Sequence, residues 1–454
     1  MSQPFINFVL KIFILNIFVI LTSSLLVIPP VNIVYYQPEQ IHIAFGDGVN
    51  YDLSITWSTF NYTNQSIVHY GLDLKNLNSV KYGSSKLFVD GGPEKHSQYI
   101  HRVYLKNLLP NTQYVYRCGS DLGWSGLFRF TTTPNGTDWS PRFVIYGDLG
   151  NEISVSLPLL QQYAQSGYMN GVVHLGDYAY NWEDDNGRSG DAFMNQLQSI
   201  AAYVPYMAVV GNHEQAYNFS HYRERFTMPG NTDNFYYSFN KGPIHFIVIS
   251  TEHFYFEELS PNLMKYQYEW LINDLNQAQK ERDIRPWIII LGHRPMYCTN
   301  MGNEGCVNYE TAVRTGELNK TTEYALEPLF YKYKVDLAMW GHEHSYVRFW
   351  PLYNFEVLNG TNNSDAFHNP LAPIHVITGA AGCKYPESIV PKADIYAYRT
   401  IDYGFTVLQA FNKTHLYFEQ VSAINGTKQD SAWIIKDSPS IEYTKNAVMP
   451  YETS

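Results

Sequence analysis

The sequence predicts a two-part chain, an all-β sandwich followed by an α/β layered domain, and three observations carry that prediction. Residues 33–133 hold short stretches of alternating polarity separated by turn residues, with no helical period. A turn-rich linker, Thr132-Thr133-Pro134-Asn135-Gly136-Thr137, then marks a change of pattern. Beyond it, continuous apolar runs end abruptly at glycine-led polar motifs, with helical segments between them.

The elements follow in order. Phe5 to Ile28 is almost wholly apolar, broken by Lys11, Asn16 and the trio Thr22, Ser23 and Ser24, and Pro29-Pro30 stops any helix. Residues 1–28 read as a signal peptide, excluded from the fold, or as an uncleaved signal anchor. The anchor stays open because the run is long enough to span a bilayer and lacks a clear small-x-small cleavage site. Either way the body of the chain is expected outside the cytosol, and a cleaved signal leaves no stable membrane span. Sequons at Asn61, Asn64, Asn135, Asn218, Asn319, Asn359, Asn362, Asn412 and Asn425 point to a glycosylated, secreted or lumenal product, a lysosomal one included.

In the sandwich, Ile41-His42-Ile43-Ala44-Phe45, Leu53-Ser54-Ile55-Thr56-Trp57, Arg102-Val103-Tyr104-Leu105 and Thr112-Gln113-Tyr114-Val115-Tyr116-Arg117 read as strands. The second part, 141–425 with an extension to 454, offers buried strands at Phe143–Tyr146, Val172–Leu175, Met207–Val210, Trp287–Leu291, Leu337–Trp340 and Ile374–Ile377. Helices are expected around Gln267–Leu275 and Tyr324–Tyr333. In such sheets chemistry collects beyond the carboxyl ends of the strands.

Composition narrows the function classes. The chain has 454 residues, 45% of them hydrophobic, enough for a substantial core. Its net charge is −11 and no basic cluster stands out, which argues against nucleic acid as a partner. Of the four cysteines, Cys298 and Cys306 flank the loop 299–305 and are expected to close it as a disulfide, since the signal segment implies an oxidising compartment. The absence of any C-x-x-C pattern excludes a cysteine zinc site.

Five strand ends each deliver a motif rich in metal donors: Gly147-Asp148-Leu149-Gly150, Gly176-Asp177-Tyr178-Ala179-Tyr180, Gly211-Asn212-His213-Glu214, Gly292-His293-Arg294-Pro295 and Gly341-His342-Glu343-His344. Singly, each could be a turn or a buried histidine. Together they present carboxylate, phenol, amide and imidazole donors at successive strand ends, the set that two neighbouring cations need. A carboxylate between the ions offsets their repulsion, and a glycine before each donor lets the backbone turn sharply.

These five motifs, in this order, resemble those of the purple acid phosphatases within the calcineurin-like metallophosphoesterases. The resemblance runs from about Pro38 to the Tyr403-Gly404-Phe405 region. Gly292-His293-Arg294-Pro295-Met296-Tyr297-Cys298 and Gly341-His342-Glu343-His344-Ser345-Tyr346 look like the animal-type long-chain members. It implies a fibronectin type III-like sandwich before a layered α-β-β-α metallophosphoesterase domain. Fe(III) would be held by Asp148, Asp177, Tyr180 and His344. A divalent ion (Zn, Fe or Mn) would be held by Asp177, Asn212, His293 and His342, with Asp177 bridging. Tyr180 as a phenolate would give a purple, ferric centre.

The implied activity is hydrolysis of small phosphate monoesters by a metal-bound hydroxide. His213 would contact substrate and protonate the leaving alkoxide, or else orient a ligand. Asn212 would also lie at the substrate, and Arg294 would contact phosphate or form a structural ion pair. Glu343 is read as pointing away from the metals, second in line or on the surface, and His174 and His375 as structural. Plant members carry further histidines after the position of His293; Tyr297-Cys298-Thr299-Asn300-Met301-Gly302-Asn303 has none, so specificity does not carry over. Two alternatives stay open: a phosphodiesterase or nucleotide pyrophosphatase on the same scaffold, and a glycosylated surface or matrix binding protein working through its sandwich. The homo-oligomeric state is left open too.

Overall fold

The computed structural model describes residues 33–47, 51–256, 262–300, 305–316, 322–358, 365–383 and 394–438. The apolar leader, the sequons at Asn319, Asn359 and Asn362, and the end of the C-terminal extension lie outside the described residues.

The first part contains β1 (Glu39–Phe45), β2 (Leu53–Thr59), β3 (Ile67–Gly71), β4 (Ser79–Tyr82), β5 (Ser84–Val89), β6 (Ser97–Leu105), β7 (Gln113–Ser120), β8 (Gly123–Trp124) and β9 (Phe128–Thr131). One sheet runs β1-β2-β6-β5 and the other β4-β3-β7-β8, with β9 also on β7. Alternation in β2 does two jobs. Leu53, Ile55 and Trp57 join the hydrophobic core. Ser54 and Thr56 point the other way, are equally buried, and hydrogen-bond Thr227 in the second part. A polar set can be buried at no net cost only when it finds such partners.

The second part opens with β10 (Arg142–Tyr146), helix α1 (Leu157–Ser166), β11 (Gly171–His174), α2 (Arg188–Ala201), β12 (Tyr206–Ala208) and α3 (Ala216–Arg225). There follow β13 (Tyr237–Lys241), β14 (Ile244–Val248), α4 (Leu263–Lys280), β15 (Trp287–Leu291), α5 (Leu326–Lys332), β16 (Leu337–Trp340) and β17 (Tyr346–Phe349). A small hairpin, β18 (Leu352–Tyr353) and β19 (Glu356–Val357), leads to β20 (Ala366–His368), β21 (Ile374–Thr378), β22 (Tyr396–Thr400), β23 (Gly404–Ala410), β24 (His415–Ser422) and β25 (Lys428–Ile435). Two seven-stranded sheets result, ordered β12-β11-β10-β23-β24-β25-β20 and β13-β14-β15-β16-β21-β17-β22.

The sheets pack face to face, with Phe143 of β10 4.8 Å from Phe246 of β14 between ring centroids. Alternation again assigns the faces. Ile289 and Leu291 point into the core between the sheets, while Ile288 and Ile290 pack with Leu271 and Leu275 of α4 on the outer face. Burial on both faces explains why β15 reads as an unbroken apolar run. β10, β11 and β12 pair in parallel in one sheet, as do β14, β15, β16 and β21 in the other. The carboxyl ends of β10–β12 and of β15–β16 carry the five donor motifs. No described helix is long and apolar enough to cross a membrane.

A buried polar junction ties the two parts together. Asp191 of α2 accepts from His96 (2.7 Å), Gln98 (2.8 Å) and Gln40 (3.2 Å) and pairs with Arg225 (2.8 Å). Asp90 and His221, both 1% exposed, meet at 2.8 Å beside it.

Candidate metal centre

The donor motifs sit on abrupt turns. Asp148, Asp177, Tyr180 and His342 all have positive φ, between 53° and 68°. Non-glycine residues pay about 1–3 kcal/mol each for such a conformation, which persists only where the surroundings enforce it. The expectation that the preceding glycines supply the turn is therefore corrected. Among them only Gly176 has positive φ, at 89°. The others are small because neighbours crowd them: a Cβ on Gly211 would stand 2.3 Å from Asp177 Oδ1. Glycine lets the loops approach, and the donor residues themselves bear the strain.

Two knots of donor atoms result. In the first, Asn212 Oδ1 lies 3.0 Å from both His293 Nε2 and His342 Nδ1, and Asp177 Oδ1 lies 3.3 Å from His293 Nε2. Asp177, His293 and His342 each offer an atom within 4.8 Å of the others. In the second, Tyr180 Oη is 2.8 Å from His344 Nε2 and 3.1 Å from Asp148 Oδ1, which is 3.5 Å from His344 Nε2. Donors sharing one ion through bonds of about 2.1 Å at 90–110° stand about 3.0–3.4 Å apart. Four of these six separations fall in that window and the other two, 2.8 and 3.5 Å, lie just outside it. The residues thus fit a pair of metal ions, and the donor types are hard oxygen and imidazole.

The electrostatics have the same origin. Burial pushes Asp148 upward. Burial does the same to Asp177, but the imidazoles of His293, His213 and His342 outweigh it and hold its carboxyl well below the usual range. Burial works against the charge on His293 and His344, yet Asp177 lifts the first to about 10 and Asp148 the second to about 12. Burial and Arg294 keep His342 well below its ordinary value. Without cations, then, protons on imidazole balance the buried carboxylates, and cations binding there would displace them.

His213 stands at the open side, its side chain 33% exposed. Its backbone N–H donates to Asp177 Oδ1 (3.0 Å), and its Nδ1 donates to Asn181 Oδ1 (3.0 Å). That bond leaves Nε2 turned toward the cluster, 3.9 Å from Asp177 Oδ2. The ring packs on Tyr180 at 4.6 Å. Asn181 directly follows Tyr180, and sequence reasoning passed it over because an asparagine with positive φ reads as a plain turn residue.

Arg294 lies in the interior of the fold. It is fully buried, pairs with Glu252 at 2.9 Å, stacks on Tyr255 and touches His342 Nε2 at 3.4 Å. The structural ion pair, left open by the sequence, is what the fold builds. Glu343 is likewise buried rather than at the surface. It accepts from the backbone of Thr299 (2.7 Å) and Asn300 (3.1 Å), anchoring the loop that the Cys298–Cys306 disulfide closes. His174 bonds Tyr206, and His375 accepts from Trp340 Nε1, both within the core.

The main residue missed is Glu214, 1% exposed. Its Oε2 accepts from the backbone of Asp177 (2.9 Å) and Gly211 (2.8 Å). Its Oε1 accepts from Tyr178 N (3.1 Å) and Trp182 Nε1 (2.8 Å). One carboxyl thus staples the second motif to the third. The signal was a glutamate directly after the Asn-His pair, within a hydrogen-bond reach that sequence alone does not show.

Known proteins resemble this chain along most of its length. Family profiles match in sequence order: "Purple acid Phosphatase, N-terminal domain" over residues 38–132, "Calcineurin-like phosphoesterase" over 141–346, and "Iron/zinc purple acid phosphatase-like protein C" over 372–431. Acid phosphatase type 7 of Danio rerio is 49% identical over 393 residues, 85% of this chain and 88% of that protein. Its Homo sapiens namesake is 44% identical over 404 residues, 88% and 91% of the two chains. A purple acid phosphatase from yellow lupin (Lupinus luteus) seeds shares the fold, with a TM-score of 0.74 at 24% identity over 91% of this chain and 78% of that one. On these identities and profile matches, the chain belongs to the purple acid phosphatase family of calcineurin-like phosphoesterases.

Proposed function

We propose that this is a secreted or lumenal, N-glycosylated acid phosphatase that hydrolyses small phosphate monoesters at a binuclear metal centre. Asp148, Asp177, Tyr180 and His344 hold Fe(III), and Asp177, Asn212, His293 and His342 hold a divalent zinc, iron or manganese ion. The convergence of these donors into two knots with separations of 2.8–3.5 Å carries the reading. The names of the animal relatives support the monoester specificity. Exposed asparagines at the sequons Asn64, Asn135, Asn218, Asn412 and Asn425 support glycosylation.

When bound, the ion pair supplies positive charge to the phosphoryl oxygens and a water of lowered pKa as nucleophile. The chain's own residues do the rest. Tyr180 gives a hard anionic oxygen suited to Fe(III). Asn181 fixes the imidazole of His213 by its Nδ1, so that Nε2 faces the space beside Asp177 where a leaving oxygen would sit. His213 delivers its proton there, which matters most for alcohols that leave as unstable alkoxides. Glu214 holds the backbone of Asp177 and Gly211 in one frame, keeping Asp177, Asn212 and His213 in fixed relation.

Elemental analysis with a visible spectrum, beside turnover of p-nitrophenyl phosphate and bis(p-nitrophenyl) phosphate, tests this. Iron plus one further metal, a visible band and a preference for the monoester are expected. Preference for the diester would move the assignment to a phosphodiesterase. Purified protein that takes up no metal would remove the enzyme reading and favour a binding role for the sandwich.

A further inference from the structure

One loop of the sandwich reaches both segments that carry the proton-delivering residues. The loop joins β5 to β6, and its tip, Asp90-Gly91-Gly92, packs against two stretches of the second part. The first stretch is the turn 181–187, which begins with Asn181. Asn186 Oδ1 accepts from Glu94 N (3.3 Å), and a Cβ on Gly92 would stand 3.0 Å from that oxygen. A Cβ on Gly187 would stand 3.2 Å from Asp90 Oδ1, while the Gly187 carbonyl accepts from Arg225 Nη2 (3.4 Å). The turn is compact: Gly187 N donates to Glu183 O (3.1 Å) and Asp184 N to Asn181 O (3.4 Å). The second stretch follows His213. Tyr217, Asn218 and Phe219 are all left-handed, with φ of 52°, 58° and 56°. Non-glycine residues adopt that conformation singly, and a run of three persists only where packing enforces it. Two anchors do so. Phe219 is buried against Phe235 (5.5 Å) and Phe256 (5.8 Å). The Tyr217 ring lies on Gly91, where a Cβ would stand 2.2 Å from its Cγ. Asp90 serves both stretches, since its Oδ1 also accepts from His221 Nε2 (2.8 Å) and its Oδ2 from Gly92 N (2.6 Å).

We infer that the sandwich is a working part of the reaction site. Asp90 and Gly91 are positioning residues that hold the Asn181 turn and the chain after His213, and through them the His213 imidazole. This rests on the reading of His213 as the proton donor. His213 is 33% exposed, and its ring direction is set by the Nδ1 bond to Asn181. A shift of the Asn181 turn therefore swings Nε2 away from the leaving oxygen, and a misplacement of about 1 Å costs up to about 100-fold in rate. The metal donors are held by a different device, the Glu214 bonds to Asp177 and Gly211, so the tip acts on proton delivery and not on metal content. Asparagine at position 90 keeps the shape but offers one acceptor to two donors. His221 cannot relieve the conflict by moving its proton, because its Nδ1 accepts from Arg225 Nε (3.3 Å). A junction that merely joined two domains would affect stability alone.

The test compares the full chain with Asp90→Asn, Gly91→Ala and a control, Ser54→Ala combined with Thr56→Val, which weakens the same junction at Thr227. Each is made alone and on a His213→Ala background. On metal-loaded protein, kcat is measured for an alkyl phosphate and for p-nitrophenyl phosphate, with metal content on the same preparations. On metal-free protein, the unfolding midpoint and hydrogen–deuterium exchange over 181–187 are read. Asp90→Asn and Gly91→Ala should each slow the alkyl phosphate by about 10–100-fold at wild-type metal content, p-nitrophenyl phosphate far less, and speed exchange in the turn. On the His213→Ala background neither should slow turnover further, because the effect runs through a residue already removed. The control should lower the unfolding midpoint and leave kcat and the exchange unchanged. Wild-type kcat or exchange in a tip variant overturns the inference. So does slowing that persists without His213, that follows lost metal, or that the control matches. If Asp90→Asn does not fold, Gly91→Ala decides. If His213→Ala slows both substrates equally, the proton-donor reading fails by itself. The tip is still decided in that case: slowing that vanishes on the His213→Ala background retains the positioning role, and slowing that persists rejects it.

Discussion

Replacing Glu214 by glutamine changes no volume, yet it should damage the centre almost as much as replacement by alanine. Each carboxyl oxygen accepts two N–H groups, so four donors converge on one buried side chain. Glutamine keeps one oxygen and turns its NH₂ toward two donors that then have no acceptor. An unsatisfied buried donor costs about 1–3 kcal/mol, so with two of them Glu214→Gln should lose about 2–6 kcal/mol. Glu214→Ala strands all four donors but opens space for water, and should lose about 3–5 kcal/mol. Against a typical total stability of about 5–15 kcal/mol, both losses are readily measured. Denaturant unfolding of chelator-treated protein gives the stability, and metal content at fixed free metal gives the effect on Asp177 and Asn212. There is a competing force: burial and the negative charge of Asp177 push Glu214 up to about 8. If Glu214 worked as a neutral acid, glutamine would mimic it. Wild-type stability and metal content in Glu214→Gln would therefore refute the four-donor argument.

Other expected outcomes concern the donors and the acid. Tyr180→Phe should abolish the visible band, read by absorbance on protein whose iron content is measured alongside. Asp177→Asn should lower occupancy of both metal positions, whereas Asn212→Ala should lower mainly the divalent one, as elemental analysis will show. His213→Ala should slow alkyl phosphates by about 10²–10⁴-fold, mainly in kcat, and p-nitrophenyl phosphate far less, because p-nitrophenolate needs little protonation. Equal slowing of both with a raised KM would instead make His213 a phosphate-positioning residue. Asn181→Ala should reproduce a weaker form of the same leaving-group pattern, since it frees the His213 ring without removing it.

The sequence by itself determined the order of the elements and the chemistry at the strand ends. Unbroken apolar runs in β15 and β16 match strands buried on both faces. Period-two alternation in β2 marked a strand without telling that its polar face too is buried, against Thr227. The donor motifs were legible because two neighbouring cations restrict the ligand types so tightly. The C-terminal strands β22–β25 went unread: their register depends on β10 and β17, far away in the chain. Only the tertiary structure decided what the residues between the donors do. Glu214, Glu343, Arg294 and Asn181 act through partners that lie mostly in other motifs, from 3 to 48 positions away. A carboxylate that staples two loops and a carboxylate on the surface look alike in one dimension. The difference is burial, which turns each unmet hydrogen bond into a cost and so dictates which partner every buried polar group must find.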